Sequence, residues 1–243
     1  MGDLELRFIG TGNAFAPGGL CWNGFVANER FLFEAPPQAL QSLNRLGLDA
    51  NALEAVVVSH HHGDHFLGLP FLLLQWKFYG RQKPVTIVGP PGTRELATDI
   101  ALKVYPGIFD IKYEINWVEA NAGDHVAVAG LELEALAVKH DRRLSGSLGF
   151  NATLGGRKFA YTGDTAMCDA VRDMARHAEV LVSECASRSD VLEIHMNLVD
   201  DIPNVRAAMN PDAQLVLTHL TPEVTAEGLA NTTIAEDLAR YRF

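Results

Sequence analysis

The stretch Ser59-His60-His61-His62-Gly63-Asp64-His65 places four histidines and a carboxylate in one short segment. It follows the apolar run Ala55-Val56-Val57-Val58 and precedes Phe66-Leu67-Gly68-Leu69-Pro70. Such a run predicts a buried strand over Glu54 to Val58 that delivers the turn. Imidazole nitrogen and carboxylate oxygen are ligands that zinc prefers. The segment is therefore expected to hold metal rather than to serve as a surface loop. Any fold available to this chain has to bring further ligands to it.

Spacing gives the turn an internal logic. His60 and His62 lie two apart, so in extended backbone they point the same way. Asp64 and His65 are adjacent and are expected to diverge and serve a second ion, with Gly63 supplying the tight turn between the pairs. His61 should point opposite to its neighbours and pack, or support the ligands, rather than bind. Other predicted strands end in the same chemistry. His140 follows Leu131 to Val138, Asp164 follows Lys158 to Tyr161, and His219 follows Leu215 to Thr218. Loops at one edge of a sheet can meet, so these residues can form one site. Asp164, between Gly163 and Thr165, is the natural bridging carboxylate of a two-metal centre.

The remaining pattern mixes hairpins with strand–helix units. A strand over Leu4 to Ile9 runs into Gly10-Thr11-Gly12, but no helical pattern follows, which argues against a nucleotide-binding loop. Hairpins are expected over Trp22 to Phe33, and over Ser147 to Tyr161 with Gly155-Gly156 at the turn. Helices are expected from Pro36 to Leu46, Leu69 to Tyr79, Thr93 to Val104 with Thr93 as cap, Asp169 to His177 and Val199 to Met209. The tail after Thr221 reads as helical in parts. Further strands are expected at Val85 to Val88, Tyr113 to Val118, Val126 to Val128 and Val180 to Ser183. This order predicts an α/β (α+β) architecture, sheets covered by helices, in a single domain over residues 1–243.

Bulk properties narrow the function. At 48% hydrophobic residues the chain can fill a sizeable core, yet no apolar run approaches the ~20 residues of a membrane helix. The N-terminal residues show no basic, then apolar, leader. Cys21, Cys168 and Cys185 have no Cys-x-x-Cys spacing, which suits a reducing compartment. A cytoplasmic protein without membrane contact is expected. The net charge of −10 gives no field that would gather nucleic acid.

Taken together, His-x-His-x-Asp-His, a strand-end His, a Gly-Asp-Thr aspartate and a late His resemble the metallo-β-lactamase fold superfamily. Within it the chain is most similar to the ribonuclease Z-like branch. His60 to Pro70 matches that branch's His-x-His-Gly-Asp-His-x-x-Gly-Leu-Pro, with Phe66-Leu67 as the variable pair. Ile9-Gly10-Thr11-Gly12, Gly89-Pro90-Pro91-Gly92 and Ser147-Leu148-Gly149-Phe150 resemble its opening, Gly-Pro and Ser-x-Gly-aromatic segments.

The resemblance implies a four-layer αββα sandwich with two zinc ions at one edge, Mn2+ and Fe2+ being alternatives. One ion would take His60, His62 and His140. The other would take Asp64, His65 and His219, with Asp164 bridging and a hydroxide between the ions as nucleophile. Glu184 and His195 would form a relay that protonates the leaving oxygen, and Asp64 is a further candidate proton acceptor. Arg142 and Arg143, after His140, and Ser147 are candidate substrate contacts. A homodimer is expected on the resemblance alone.

The chain departs from that branch in one respect that bears on substrate. The long Gly/Pro-rich basic arm that grips transfer RNA has no counterpart in this sequence. The absent arm and the charge of −10 count against RNA and favour a small or cyclic phosphodiester. The alternatives are a thioester or lactone hydrolase of the same fold, or a metal-binding sensor without turnover.

Overall fold

A computed structural model of the chain describes residues 2–226 and 228–243. Its strands are β1 (Glu5–Gly10), β2 (Gly24–Ala27), β3 (Phe31–Phe33), β4 (Ala55–Val57), β5 (Val85–Gly89), β6 (Ile115–Glu119), β7 (His125–Val128), β8 (Leu131–Ala137), β9 (Leu148–Leu154), β10 (Arg157–Tyr161), β11 (Val180–Glu184), β12 (Gln214–Thr218), β13 (Thr232–Ile234) and β14 (Arg240–Arg242). The helices are α1 (Ala39–Arg45), α2 (Gly63–Phe66), α3 (Leu69–Phe78), α4 (Thr93–Val104), α5 (Asp169–His177) and α6 (Ile202–Ala208).

The strands form two sheets of seven, ordered β14-β1-β2-β3-β4-β5-β6 and β13-β12-β11-β10-β9-β8-β7. In those orders the first sheet has three antiparallel pairings followed by three parallel ones, and the second has three parallel pairings followed by three antiparallel ones. Parallel β3, β4 and β5, and likewise β10, β11 and β12, therefore deliver their carboxyl ends to a common edge. In open α/β sheets that edge is where ligands are bound.

The central strands are buried on both faces, which is why they read as unbroken apolar runs. Ala55 and Val57 of β4 face the space between the sheets, while Val56 faces the helices outside. The inter-sheet core is aromatic. Phe33 meets Phe159 at 5.6 Å and Phe25 meets Tyr161 at 5.3 Å between ring centroids, one ring of each pair from either sheet. Helices α1, α3 and α4 cover the outer face of the first sheet, and α5 and α6 cover that of the second. The result is the expected four-layer αββα arrangement. Among the described residues no helix is long and apolar enough to cross a membrane.

Three local expectations fail. The tail after Thr221 forms β13 and β14, and no helix appears among its described residues; Glu227, like Met1, lies outside them. Thr232-Thr233-Ile234 is β-branched at every position, and that stiffness favours a strand once β12 offers an edge. Thr93 is not a cap: Gly92, at φ 90°, takes that position, and the Thr93 hydroxyl donates to Pro90 O at 2.6 Å. Gly63 does not form a tight turn. It starts the short helix α2, after His62 at φ −65° and ψ 149°.

β14 returns to pair with β1, and one carboxylate fastens the junction. Glu5 accepts from Arg7 Nε at 2.7 Å, Arg240 Nε at 2.7 Å and Arg242 Nε at 2.9 Å. Burial works against the Glu5 charge, but Arg242 and Arg7 outweigh it and lower the pKa. A depressed folded pKa adds stability that is fully present above the unfolded value, about 4.3, and is lost as pH falls through the folded one. Glu5→Gln is thus expected to lower Tm at pH 7, by about 2–4 °C for each kcal/mol lost, and the gap should shrink as pH falls below the unfolded value and through the lowered folded one. Thermal unfolding of both proteins across that range checks this; a gap of constant size would contradict it.

Candidate metal centre

The site is built at the carboxyl edge described above. His60 follows β4, His140 follows β8, Asp164 follows β10, Glu184 ends β11 and His219 follows β12. Gly163 makes the approach of Asp164 to the histidine turn workable. At φ 58°, it would carry a Cβ only 2.6 Å from Leu148 O and 2.9 Å from Ser59 Cβ. Helix α2 changes the geometry of the turn. Its first turn brings Asp64 and His65 together instead of diverging, with Asp64 Oδ2 3.2 Å from His65 Nε2.

Two clusters result. In the first, His62 Nδ1 lies 3.1 Å from both His60 Nε2 and His140 Nε2. The outer nitrogens have partners of their own. His60 Nδ1 meets Ser59 Oγ at 2.9 Å, His140 Nδ1 donates to Ile194 O at 3.1 Å, and His62 Nε2 lies 3.5 Å from Asp141 Oδ2. A neutral imidazole carries one N–H. With those protons on the outer nitrogens, three inner lone pairs face one another. That arrangement is repulsive in itself and suits a cation, and outer partners of this kind are what orient metal-binding histidines.

In the second cluster Asp64, His65, Asp164 and His219 offer ligand atoms within 4.8 Å of one another. Asp164 Oδ2 is 3.3 Å from His65 Nε2, 3.1 Å from His219 Nε2 and 3.8 Å from His60 Nε2, so it reaches both clusters. Yet Asp64 Oδ2, His65 Nε2, Asp164 Oδ1 and His219 Nε2 are buried without a hydrogen-bond partner. Buried polar atoms left unpaired cost roughly 1–3 kcal/mol each. A set of them converging on one point fits a divalent cation. His219 adds a left-handed φ of 57°, a strained conformation of the kind that collects at functional sites. Burial alone would discourage charge here. For Asp64, however, His65 and His219 hold the carboxyl well below the usual range, and His219 and His65 do the same for Asp164. Burial pushes the His60 imidazole well down, keeping it neutral as a ligand must be.

A third group stands beside both clusters. Glu184 Oε1 meets His195 Nδ1 at 2.9 Å, and Glu184 Oε2 accepts from Met196 N at 3.3 Å. The His195 ring stacks on His219 at 5.3 Å and lies 5.0 Å from His140. Burial opposes charge on His195, but the Glu184 hydrogen bond outweighs it and pushes the imidazole up to about 9. Burial raises the Glu184 carboxyl against the pull of His195.

The other sequence candidates fall as follows. Arg142 is exposed and lines, with Lys139, His140 and Ser147, a cavity of ≈ 440 Å³ beside the first cluster. Ser147 Oγ is buried there without a partner. Arg143 is not free for a substrate, because it grips Asp141 through Nε at 2.8 Å and a terminal nitrogen at 2.6 Å. His61 stays out of both clusters and meets Thr93 Oγ1 at 2.8 Å. A larger concavity, ≈ 780 Å³, lies at the opposite end of β10, β11 and β12 and holds none of these residues.

Sequence reasoning missed Glu34 and Asp141. Glu34 Oε1 lies 3.4 Å from His65 Nδ1, in the same relation as Asp141 to His62. The signal for Glu34 was available: a carboxylate closing the apolar strand Phe31-Leu32-Phe33, as Asp164 follows Phe159-Ala160-Tyr161.

Comparison with known proteins supports the same family. The chain is 27% identical to ribonuclease Z of Methanosarcina acetivorans over 297 aligned positions, covering 97% of this chain and 96% of that one. Because this chain has only 243 residues, the relative carries insertions that are absent here. The fold matches the metallo-β-lactamase fold protein YhfI from Bacillus subtilis with a TM-score of 0.80 at 18% identity, covering 98% and 99% of the two chains. It matches the short form of human tRNase Z with a TM-score of 0.74 at 20% identity, covering 98% of each. The family model for the beta-lactamase superfamily domain matches residues 29–220, which run from the β2–β3 turn to just past His219 and so include every residue of both clusters. The chain belongs to the beta-lactamase superfamily.

Proposed function

We propose that the protein is a dinuclear zinc-dependent phosphodiesterase of ribonuclease Z-like type, acting on a small or cyclic phosphodiester. The observation that carries this reading is the meeting of two ligand clusters at Asp164, with the Glu184–His195 pair alongside. Three imidazoles in one cluster and a mixture of imidazole and carboxylate in the other suit zinc, and the second set also accommodates Mn2+ or Fe2+. When bound, two such cations lower the pKa of water and neutralise charge on substrate oxygens.

The chain's own residues supply the rest. His195 is held at Nδ1 by Glu184, which leaves Nε2 to donate a proton to the leaving oxygen. Its raised pKa keeps that proton in place at neutral pH. Arg142, unlike Arg143, is free to meet a phosphate oxygen at the mouth of the adjoining cavity. Small substrate size is supported by the path from His140 to Asp164. Among the described residues it holds only a short loop and the β9–β10 hairpin, closed by Gly155-Gly156, with no arm.

The test is purified protein with its metal quantified, assayed on bis(p-nitrophenyl) phosphate, cyclic nucleotides, a 3′-extended transfer RNA, a thioester and a lactone. About two zinc ions per chain and turnover of the small phosphodiesters are expected. Hydrolysis of only the thioester or lactone would replace the phosphodiesterase reading, and efficient cleavage of the transfer RNA would replace the small-substrate part of it.

A further inference from the structure

His61 is the one histidine of the turn that both clusters leave aside, yet both of its ring nitrogens are engaged. Nε2 lies 2.8 Å from Thr93 Oγ1, and Nδ1 lies 3.4 Å from Ser145 Oγ. The threonine decides the tautomer. It gives its only hydroxyl proton to Pro90 O at 2.6 Å, so Thr93 Oγ1 can only accept from His61. Nε2 therefore carries the ring proton, and Nδ1 keeps a lone pair that accepts from the Ser145 hydroxyl. Thr93 is buried at the first residue of α4, and the imidazole also meets the Phe66 ring edge-on at 5.2 Å. One side of His61 is thus fixed to the body of the fold.

The other side reaches a segment with few supports. The backbone N–H bonds of residues 141–146 stay inside the segment: Leu144 N donates to Asp141 O at 3.2 Å and Arg143 N to Asp141 Oδ1 at 2.9 Å. Arg142, Arg143 and Ser145 are exposed. Apart from the 3.5 Å approach of Asp141 to His62, the Ser145–His61 contact is the one polar link, among the described residues, from this segment to the rest of the chain. Beside it Gly146 leans on the turn at 89–92, where a Cβ would stand 3.2 Å from Pro90 Cβ. His61 flanks the same turn, since a Cβ at Gly92 would stand 4.0 Å from His61 Cε1.

We propose that His61 is a positioning residue that ties segment 141–146 to the start of α4 and so sets where Arg142 stands beside the first cluster. The inference rests on the reading of Arg142 as a contact for a substrate phosphate oxygen. Arg142 borders two cavities, one of ≈ 440 Å³ shared with Ser147 and one of ≈ 660 Å³ shared with Glu193, and both reach His140. An exposed side chain between two open spaces has little packing to hold it, so its aim depends on its backbone. Asp141 and Arg143 hold each other, which stiffens the segment without fixing it to the body of the fold. Fixing it through His61 before substrate arrives lowers the cost of ordering it on binding.

The test compares the full-length, metal-loaded protein with its His61→Phe and Ser145→Ala variants. Phenylalanine keeps a ring against Phe66 and removes both polar contacts. Alanine at Ser145 removes one contact and leaves the histidine turn intact, so it carries the test should His61→Phe bind less metal. On bis(p-nitrophenyl) phosphate each variant is expected to raise KM roughly 3- to 10-fold with kcat within about twofold. The double variant should do no more than His61→Phe alone, and in an Arg142→Ala background neither substitution should raise KM further. Trypsin gives a readout that needs no turnover: cleavage after Arg142 and Arg143 should be roughly 3- to 10-fold faster in both variants, with thermal unfolding unchanged. Wild-type cleavage rates in both variants would overturn the proposal. So would wild-type KM in both variants when Arg142→Ala itself raises it. No phosphodiester turnover in wild type, or an Arg142→Ala protein of unchanged KM, would instead overturn the Arg142 reading, and the proposal with it.

Discussion

Asp164→Ala is expected to lower the phosphodiesterase kcat by on the order of 10³-fold, about 4 kcal/mol of transition-state stabilisation, and to reduce bound zinc from two ions per chain to one or fewer. Asp164 Oδ2 approaches the inner nitrogens of His60, His65 and His219, which no other carboxylate among the described residues does. Removing it leaves two sets of imidazoles without the anion that lies between them. Two cations held close together repel each other, and a shared carboxylate offsets part of that repulsion. Asp164→Asn should be milder than alanine, because the amide oxygen still accepts but carries no charge. Metal analysis beside steady-state kinetics checks both variants. Full turnover with both ions retained in Asp164→Ala would remove the bridging role.

His195→Ala is expected to lower kcat by roughly 10²–10⁴-fold on phosphodiesters with an alkyl or ribose leaving group. On bis(p-nitrophenyl) phosphate the loss should be within about tenfold. The p-nitrophenolate ion departs without a proton, so it has little need of an acid. The contrast separates proton donation from a role in holding His219, against which the His195 ring stacks at an interplanar angle of 20°. A purely structural contribution would depress both substrates alike. Glu184→Gln should reproduce the pattern in weaker form, since the amide still accepts from His195 Nδ1 but no longer favours the imidazolium.

Much of this site was legible in the sequence because strand ends are local events. An unbroken apolar run such as Val56-Val57-Val58 states that a strand is buried on both faces, and the polar residues that follow it within a few positions must lie at the sheet edge. That logic placed His60, His140, Asp164 and His219 together without any knowledge of topology. It fails where contact is non-local. The tail becomes strand because β14 finds the edge of β1 and β13 the edge of β12, pairings that local pattern does not encode. Helix α2 has only four residues, too short for a periodic signal, so Gly63 read as a turn and the convergence of Asp64 and His65 was lost. Asp141 was missed for another reason. Its importance lies in which outer nitrogen it faces, and that is a property of rotamers rather than of spacing.

The doubled strand order has a consequence for how the protein is made. The first sheet's half of the chain carries His60, His62, Asp64 and His65, and the second half carries His140, Asp164 and His219. Each ion would therefore draw ligands from both halves, and neither half emerging from the ribosome alone presents a complete set. Occupancy would have to wait until the sheets have closed on each other, and from then on it would act as a clasp across the seam. At free metal a hundred times the dissociation constant, one such ion would add about 2.7 kcal/mol to the stability of the closed form. Metal supply would thus set the lifetime of the fold as well as its chemistry, and a metal-starved cell would hold this protein in a form more readily opened and degraded.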